Sequence, residues 1–540
     1  MFINEYKKIE ELTKKLVSIN SVNNGENKGE TKCAEFLYDY LSKLDYFKEN
    51  KGHCFTFDSE NNRKSIIAYL KGKGEKTIIL MGHIDTVDIQ DYGKAKDYAC
   101  SPDKICSKLE EYFTLDKQVK EDIASNKYMF GRGALDMKAG VCANLCVFEY
   151  FANNLDKLNG NLVFLAECDE EGDSKGVISA LDKLIEIKNS NHFKYVACLN
   201  SDYSVSYDNT RYVYLGTVGK LLPSFVCIGK ESHVGSPFDG FDPNLMLSIL
   251  NKNLSLNADL TDKVDGKTCV PPICLKQSDT KSSYTVQTAS SAYLYLNYML
   301  YTSSPDKVLS NCLKVAKESF KETIGHLNKE YKKYCYNNSL KYAKLPFENN
   351  VYTFDEFDTL LKQSNPNYEK EINEYSRSLI KENPNIDIRE YSHKVVLKAY
   401  EYYEKKEPVL IVYFGSTFYS SVQTENLDLI KAIYNAVNKV NKESKYDIKV
   451  STFYPYISDM SYLACVHSEK AIKKMLNNCP YHEYRYNYPY KKIKEVNVPV
   501  VNIGTFGFDG HTYIERLEKD YAFNELPNLL YESINEYFNK

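Results

Sequence analysis

The chain has 540 residues, of which 43% are hydrophobic and 26% charged, and its formal net charge is −4. This balance is typical of a soluble globular protein and excludes an extended disordered chain. The small net charge gives no electrostatic basis for binding nucleic acid or an anionic membrane. The length exceeds one ordinary core, so we expect two domains.

The cysteines and the N-terminal segment indicate the compartment. The 15 cysteines are scattered and form no CxxC pair. The first residues form an amphipathic helical pattern that lacks the uninterrupted apolar stretch of a secretory signal, and no window reaches the apolar length of a membrane span. These features predict a reduced, cytoplasmic protein without membrane association.

Helical and strand patterns alternate along the first 216 residues. This alternation predicts an α/β domain in which a mostly parallel central sheet is covered by helices. The predicted helices are Glu5–Val17, Glu30–Leu44, Met137–Phe151 and Val177–Ile187, and the predicted strands are Ser65–Leu70, Thr77–Met81, Asn161–Ala166 and Tyr195–Leu199.

The pattern changes after Gly216. Period-two alternation predicts longer, half-exposed strands, helical segments lie between them, and a polar, Tyr-rich stretch at 321–406 shows no readable chemistry. We expect an inserted α+β domain at 217–417. Its predicted strands are Lys220–Ile228, Tyr284–Leu300 and Val409–Gly415, and its predicted helices include Asn244–Leu254 and Asp306–Thr323.

The first pattern resumes after the insert. Helix Asn426–Val440, strand Val498–Ile503 and helix Leu526–Phe538 are predicted there. We therefore expect a discontinuous catalytic domain formed by 1–216 and 418–540.

Two segments place metal-binding side chains around apolar strands and turns. His83 and Asp85 follow an apolar strand with one residue between them, so an extended chain would point both side chains the same way. His83 can ligate a metal while Asp85 holds its other ring nitrogen or steers a neighbouring group. Asp136 follows the glycine turn Gly131–Gly133 at the start of a helix. Alone, the first segment also fits a capped strand end, and the second fits an ordinary N-cap.

Carboxylates crowd two further strand ends, and a histidine follows a third. Asp169-Glu170-Glu171 come directly after an apolar strand, and Asp202 follows the next strand. Such crowding is unfavourable unless cations or substrate compensate it, although a solvated acidic turn is an alternative. His511 follows a Gly-rich turn after the strand at Val498–Ile503, where it could also cap a helix.

These side chains all lie at strand-to-helix junctions, which meet at the carboxyl edge of an open α/β sheet. Two imidazoles and three carboxylates suit a pair of zinc-like ions. Two such ions can bind a bridging water, lower its pKa and polarise a carbonyl oxygen, which is the chemistry that amide hydrolysis requires.

The four segments together resemble the M20 family of metallopeptidases and amidohydrolases. The matching motifs are GHxDTV at Gly82–Val87, GxGxxDMKxG at Gly131–Gly140, DEExxxxG at Asp169–Gly176 and GxxxHxxxE at Gly507–Glu515. The resemblance covers the whole catalytic domain and implies a phosphorylase/hydrolase-like zinc-peptidase fold with an inserted, enlarged ferredoxin-like lid.

The resemblance also implies a role for each of these side chains. Asp136 would bridge both metals, Glu170 would be the general base, and Asp85 would support His83. Residue chemistry alone could not separate the roles of Glu170 and Glu171. In this scheme one ion is bound by His83 and Asp202, and the other by Glu171 and His511.

In the inserted domain, Lys230–Pro237 resembles the family segment whose histidine helps to bind the substrate carbonyl or its oxyanion. His233 would be that residue here, and a histidine on the lid surface is the alternative. In many members this histidine comes from a partner subunit, which suggests a homodimer and leaves open whether His233 acts within its own chain. Ser458-Asp459 lies where the family places a substrate-facing loop.

Three more segments resemble the subgroup of the family known from an arginine utilization protein. They are Pro271–Gln277, Tyr284–Gln287 and Phe453–Leu463. The inserted domain exceeds that of ordinary dipeptidases, so their substrate pockets give no guide to this one.

The function expected from these features is metal-dependent hydrolysis of an amide in a small peptide or an N-acylated amino acid. Two divalent ions are expected, with zinc favoured over cobalt or manganese. The alternatives are a catalytically silent binding or regulatory protein on the same scaffold, a hydrolase of an ester or carbamoyl bond, and an interaction protein that works through its Tyr-rich segment.

Overall fold

A computed structural model describes residues 5–23, 28–204, 206, 208 and 210–539. Their contacts divide the chain into two compact units. Unit 1 comprises Met1–Val218, Val422–Cys465 and Pro489–Lys540, and unit 2 comprises Gly219–Ser421 and Val466–Tyr488.

Helices account for much of both units. Numbered along the chain, they are α1 Tyr6–Ser18, α2 Gly29–Leu41, α3 Asp45–Glu49, α4 Ile105–Tyr112, α5 Lys117–Ser125, α6 Ala139–Asn153, α7 Lys175–Asn191, α8 Pro243–Leu254, α9 Pro305–Asn337, α10 Phe354–Ser364, α11 Tyr368–Glu382, α12 Ile388–Tyr400, α13 Leu427–Val440, α14 Glu469–Leu476, α15 Tyr490–Val496 and α16 Leu526–Phe538.

The strands form two large sheets and several small ones. They are β1 Cys54–Asp58, β2 Lys64–Lys71, β3 Lys76–His83, β4 Tyr128–Phe130, β5 Asn161–Glu167, β6 Lys194–Asn200, β7 Arg211–Tyr214, β8 Gly216–Thr217, β9 Gly219–Leu221, β10 Pro223–Ile228, β11 Lys263–Val264, β12 Lys267–Thr268, β13 Ile273–Asp279, β14 Ser291–Leu300, β15 Val351–Thr353, β16 Val409–Phe414, β17 Val422–Gln423, β18 Ile448–Ser451, β19 Val500–Asn502, β20 Gly507–Phe508 and β21 Arg516–Glu518.

Unit 1 is built on an eight-stranded sheet with the order β1-β2-β5-β3-β6-β19-β7-β18. The four central strands β5, β3, β6 and β19 are parallel, whereas β2 and β7 run antiparallel to their central neighbours. The central strands are apolar and buried along their length, as strands covered on both faces must be. The predicted α/β class is confirmed, and the carboxyl ends of the central strands meet at one edge.

Helix α6 shows why the sheet of unit 1 is well covered. Twelve of its residues are buried, including Val141, Leu145 and Phe148, so the helix is apolar around most of its circumference. A helix of this kind belongs in a core rather than at a surface. It packs against β3 and β5 in the same hydrophobic cluster as α1, α13 and α16.

Unit 2 has the ferredoxin-like arrangement that the sequence predicts. The elements β10-α8-β13-β14-α9-β16 follow one another, and their strands have the order β13-β14-β10-β16 with antiparallel neighbours. This is the split βαββαβ pattern. The enlargement lies between α9 and β16, where β15 and helices α10, α11 and α12 are inserted.

Two expectations need correction. The segment 466–488, predicted within the second catalytic stretch 418–540, belongs to unit 2. There α14 packs on α9, and the Tyr481 hydroxyl donates to the Ser416 carbonyl at 2.6 Å. The predicted strand Tyr284–Leu300 begins only at Ser291, because the β13–β14 hairpin closes at the pair Asp279 and Ala292.

Two further findings concern the whole described chain. Each of the 15 cysteines carries a free thiol. Among the residues that the structure describes, none of the helices combines the length and the apolar character needed to cross a membrane.

Candidate metal centre

Asp136 lies between two imidazoles at the carboxyl edge of the unit 1 sheet. One carboxylate oxygen, Oδ1, is 2.9 Å from His83 Nε2, and the other, Oδ2, is 2.8 Å from His511 Nε2. The Asp136–Met137 peptide bond is cis. A carboxylate with one imidazole on each oxygen has the arrangement of a ligand shared between two cations.

Glu171 completes a compact donor group with these residues. Its Oε1 atom is 3.0 Å from His511 Nε2. Candidate donor atoms of His83, Asp136 and Glu171 all lie within 4.8 Å of one another. Glu171 Oε1 is buried beside this imidazole nitrogen, a position from which it could act as a ligand.

The turn that carries Asp136 is held by Glu515. Glu515 Oε1 accepts the N–H groups of Gly133 at 2.9 Å and Leu135 at 3.2 Å, and its Oε2 pairs with Arg132 at 2.7 Å. Glu515 and Arg132 are both buried. The last residue of the GxxxHxxxE motif therefore positions the carboxylate that the GxGxxDMKxG motif supplies.

Asp85 links the end of β3 to the Glu170-Glu171 turn. Its carboxylate is fully buried and accepts the Glu170 N–H at 3.1 Å and the Glu171 N–H at 3.0 Å. His83 Nδ1 lies 3.1 Å from the Asp85 main-chain oxygen and 3.6 Å from Asp85 Oδ1. Asp85 therefore fixes the His83 ring and places both glutamates beside it.

A second network, which the sequence analysis did not assign, supports this turn. Asn23 Nδ2 donates to Asp85 Oδ2 at 3.1 Å and to Asp169 Oδ1 at 2.9 Å. Glu30 accepts the Asp169 N–H at 2.9 Å, and Arg63 contacts both Glu30 and Asp169. Glu30 lies at the start of α2, whereas Asn23 and Arg63 carry no local signal.

Asp202 is positioned by the neighbouring strand end. Asn502 accepts the Asp202 N–H at 3.1 Å and donates to the Asp202 carbonyl at 2.8 Å. A Cβ atom on Gly504 would lie 1.5 Å from that carbonyl oxygen, so only glycine allows this approach. Burial and the nearby charge of Asp136 raise the pKa of Asp202 to about 7, which places the carboxyl in the same electrostatic neighbourhood.

Burial and mutual contacts shift the pKa values of this group. Hydrogen bonds to Asp136 and Glu171 raise the pKa of His511 to about 11. Burial opposes the protonation of His83, but hydrogen bonds to Asp136 and Asp85 raise its pKa well above the usual range. Burial also raises the pKa of Glu170 well above its usual range.

Two more buried carboxyls lie close to this centre. Burial and the charge of Asp459 raise the pKa of Glu167. Asp459, which the family resemblance places on a substrate-facing loop, is only 1% exposed. Glu167 was missed in the sequence, although an acidic residue ending an otherwise apolar strand is a usable signal.

The donor set fits divalent cations. Imidazole nitrogens and carboxylate oxygens are the ligands that zinc and related ions take in proteins. Several buried carboxyls with few basic partners require positive charge or protons for compensation. His511 has a 44% exposed side chain, whereas His83 is almost fully buried, so solvent reaches the group from the His511 side.

His233 belongs to unit 2, where it is exposed. Its Nδ1 accepts the Gly235 N–H at 3.1 Å, which assigns the ring proton to Nε2. The residue forms an isolated bridge with Gln287. His233 therefore offers an Nε2–H donor at the surface of unit 2.

A mostly parallel sheet with these donors at its carboxyl edge, together with a ferredoxin-like second unit, defines a hydrolase of the metallopeptidase class. The chain belongs to peptidase family M20/M25/M40, whose sequence profile matches residues 79–478.

Proteins at several levels of sequence identity support this family assignment. Protein RocB of Bacillus subtilis (strain 168) is 32% identical over 98% of this chain and 95% of that protein, which confirms the subgroup resemblance. A succinyl-diaminopimelate desuccinylase of Orientia tsutsugamushi (strain Ikeda) is 27% identical over 47% of this chain and 57% of its own length. The solved M20 family metallo-carboxypeptidase Sso-CP2 from Sulfolobus solfataricus shares the fold, with a TM-score of 0.54, 13% identity and full coverage of both chains.

Proposed function

We propose that this protein hydrolyses an amide bond in a small peptide or an N-acylated amino acid, using two divalent metal ions. The observation that carries the proposal is the Asp136 carboxylate between the imidazoles of His83 and His511. The matching family is one of peptidases. Zinc is the first choice of metal, because N and O donors of this kind suit it, and cobalt or manganese could replace it.

The proposed ligand assignment is the one that the family resemblance implies. Asp136 would be shared by the two ions, His83 and Asp202 would hold one of them, and Glu171 and His511 would hold the other. When bound, the ions polarise the scissile carbonyl and lower the pKa of the attacking water.

Glu170 is the proposed general base. It takes a proton from the attacking water and returns it to the leaving amine. Its position is fixed through its N–H, which donates to Asp85. Burial raises the proton affinity of its carboxylate, which favours acceptance of that proton.

His233 is proposed to donate a hydrogen bond from its Nε2–H group to the substrate carbonyl oxygen as negative charge develops there. We further propose a homodimer in which this histidine could act across subunits. Mixing His233→Ala chains with Glu170→Gln chains tests this arrangement. Recovered activity in the mixture supports a shared site, and an inactive mixture of properly folded chains contradicts it.

The biological setting is proposed from the relatives. A role in amino-acid catabolism is proposed from the resemblance to the arginine utilization subgroup, and the desuccinylase favours N-acyl substrates. The 15 free thiols support a reducing, cytoplasmic location.

A chelation experiment with a substrate panel tests the proposal. The purified protein is assayed against dipeptides, N-acyl amino acids, esters and carbamoyl amino acids before chelation, after it, and after return of zinc, cobalt or manganese. We expect two ions per chain and amide cleavage that is lost with the metal and restored by it. Chelator-resistant cleavage contradicts the metal centre, and cleavage confined to esters or carbamoyl compounds contradicts the amide assignment.

A further inference from the structure

His511 is the most exposed of the candidate metal ligands. Its side chain is 44% exposed, whereas that of Glu171 is 10% exposed and those of His83 and Asp136 are almost fully buried. Its backbone φ is 65°, in the left-handed region that residues other than glycine seldom adopt. The residue lies between β20 and β21, outside any helix or strand. Few neighbours can therefore hold its imidazole ring toward Asp136.

Tyr203 packs against this ring from another part of unit 1. The centres of the Tyr203 and His511 rings are 6.3 Å apart, and the ring planes meet at 51°. This separation lies within the range of favourable aromatic pairs. The Tyr203 ring also lies against Gly510, since a Cβ atom added there would be 2.9 Å from Tyr203 Cζ and 3.0 Å from its hydroxyl oxygen. One phenol ring therefore contacts both His511 and the residue before it.

Tyr203 is itself held by three contacts. The Tyr456 ring stacks on the Tyr203 ring, with the ring centres 5.7 Å apart and the planes at 13°. The buried Tyr454 hydroxyl donates to the Tyr203 carbonyl at 2.8 Å. The Tyr203 N–H donates to Asp202 Oδ1, also at 2.8 Å. Tyr454 and Tyr456 belong to the segment Phe453–Leu463, so part of that segment supports the metal centre through Tyr203.

Asp202 and Tyr203 are consecutive, yet they would serve different ions. In the proposed assignment Asp202 binds the first ion, whereas Tyr203 contacts His511, which binds the second. The main chain of Asp202 is fixed separately by Asn502, which accepts its N–H at 3.1 Å and donates to its carbonyl at 2.8 Å. A change confined to the phenol ring should therefore leave Asp202 in place and affect the second ion alone.

We infer that Tyr203 is a positioning residue of the metal centre, whose ring holds His511 in the orientation that binds the second ion. This inference rests on the proposed two-metal function and adds to it a residue outside the expected ligand set. The contact is made between two rings, so it requires the aromatic ring of Tyr203 and not its hydroxyl. Phenylalanine should replace the residue, and leucine should not.

Zinc binding to the full-length apoprotein tests this role without reference to activity. A chelating dye competes for the ions, and thermal unfolding of the apoprotein checks that each variant folds. Tyr203→Leu should weaken one of two ions at least tenfold, as loss of a contact that orients a ligand typically does. Tyr203→Phe should bind both ions as tightly as the unchanged chain. The matched control Tyr434→Leu, at an exposed position of α13, should also bind both.

A second variant tests the same contact from the His511 side. Gly510→Ala would place a methyl group against the Tyr203 ring and displace it, so the same ion should weaken at least tenfold. Once Tyr203→Leu has removed the phenol, the added methyl group meets no ring and should cause no further loss. Such non-additivity is expected of residues in direct contact.

The outcomes separate this inference from the proposed function. If the unchanged chain binds two ions, wild-type affinity for both ions in Tyr203→Leu or in Gly510→Ala overturns the role of Tyr203. Equal weakening in Tyr203→Phe and Tyr203→Leu also overturns it, because the hydroxyl would then be responsible. If Tyr203→Leu fails to fold, Gly510→Ala decides. An unchanged chain that binds fewer than two ions contradicts the metal centre itself, and this inference with it.

Discussion

The two units differ in how their polar residues are used. In unit 1, buried carboxyls and imidazoles converge at the carboxyl edge of one sheet, and several of their atoms lack ordinary partners. In unit 2, the ion pairs join partly or fully exposed side chains, as in Lys394 with Glu390 on one helix. We therefore expect substitutions in the buried group of unit 1 to change activity, and substitutions of local contacts in unit 2 to change only stability.

The largest effect is expected from Glu170→Gln in unit 1. The amide cannot accept a proton from water, so kcat should fall by about a hundred- to ten-thousand-fold. Steady-state kinetics and metal analysis measure the change, and the metal content should stay at the wild-type level because Glu170 is not a proposed ligand.

Glu186→Gln serves as the matched control, since Glu186 pairs with Lys183 on the surface of α7. The control should retain full activity. A Glu170→Gln enzyme that keeps wild-type kcat would remove Glu170 from the role of base.

A second, smaller effect is expected from Asp85→Asn. Asparagine offers one acceptor oxygen where the carboxylate accepts two backbone N–H groups, so the Glu170-Glu171 turn should shift. Loss of such supporting contacts typically lowers metal affinity or activity by about 10- to 100-fold. Competition with a metal-binding dye measures the affinity. Asp97→Asn, at an exposed position, is the control, and equal metal affinity in both variants would contradict the role of Asp85.

The sequence could predict this group of candidate ligands because several of its members follow a strand. His83 ends β3 and Asp202 lies two residues beyond the end of β6, and parallel strands bring their carboxyl ends to one edge. The supporting residues are a different case. Asn23 and Arg63 reach Asp169 from distant loops with no pattern around them, so only the folded chain reveals them.

The sequence was also less informative for unit 2. Period-two alternation continues through Tyr284–Gln287, yet Tyr284 is 89% exposed and belongs to a loop. Alternation indicates a strand only where a neighbouring strand is available for pairing. Here the β13–β14 pairing ends at Asp279 and Ala292, so it does not include Tyr284–Gln287. Helix α9 extends to Asn337, well beyond the predicted Thr323. The prediction ended too early because the last turns of the helix are polar and carry only a weak apolar stripe.

Gly504→Ala should combine a loss of stability with a partial loss of metal. The added Cβ would lie 1.5 Å from the Asp202 carbonyl oxygen, so the backbone must move. Overpacking of this kind typically lowers the free energy of unfolding by about 1–3 kcal/mol. The displaced Asp202 should also weaken the binding of one of the two ions. Thermal unfolding and metal counting measure the two effects. Gly52→Ala, where a Cβ meets no atom within 4 Å, should change neither, and a Gly504→Ala protein with two tightly bound ions would contradict the position assigned to Asp202.

The smallest effect is expected in unit 2, from Thr353→Ala at the start of α10. The Thr353 hydroxyl accepts the Glu356 N–H at 3.2 Å, and the Glu356 side chain accepts the Thr353 N–H at 2.8 Å, which forms a capping box. Removing the hydroxyl should lower the free energy of unfolding by about 1 kcal/mol. Because the cap serves only local structure, kcat and metal content should not change.

Thr359→Ala, at an exposed position in the same helix, is the control and should be neutral or slightly stabilising. A tenfold loss of kcat in Thr353→Ala at full metal occupancy would show that the local structure of unit 2 affects catalysis, and the contrast between the two units would then fail.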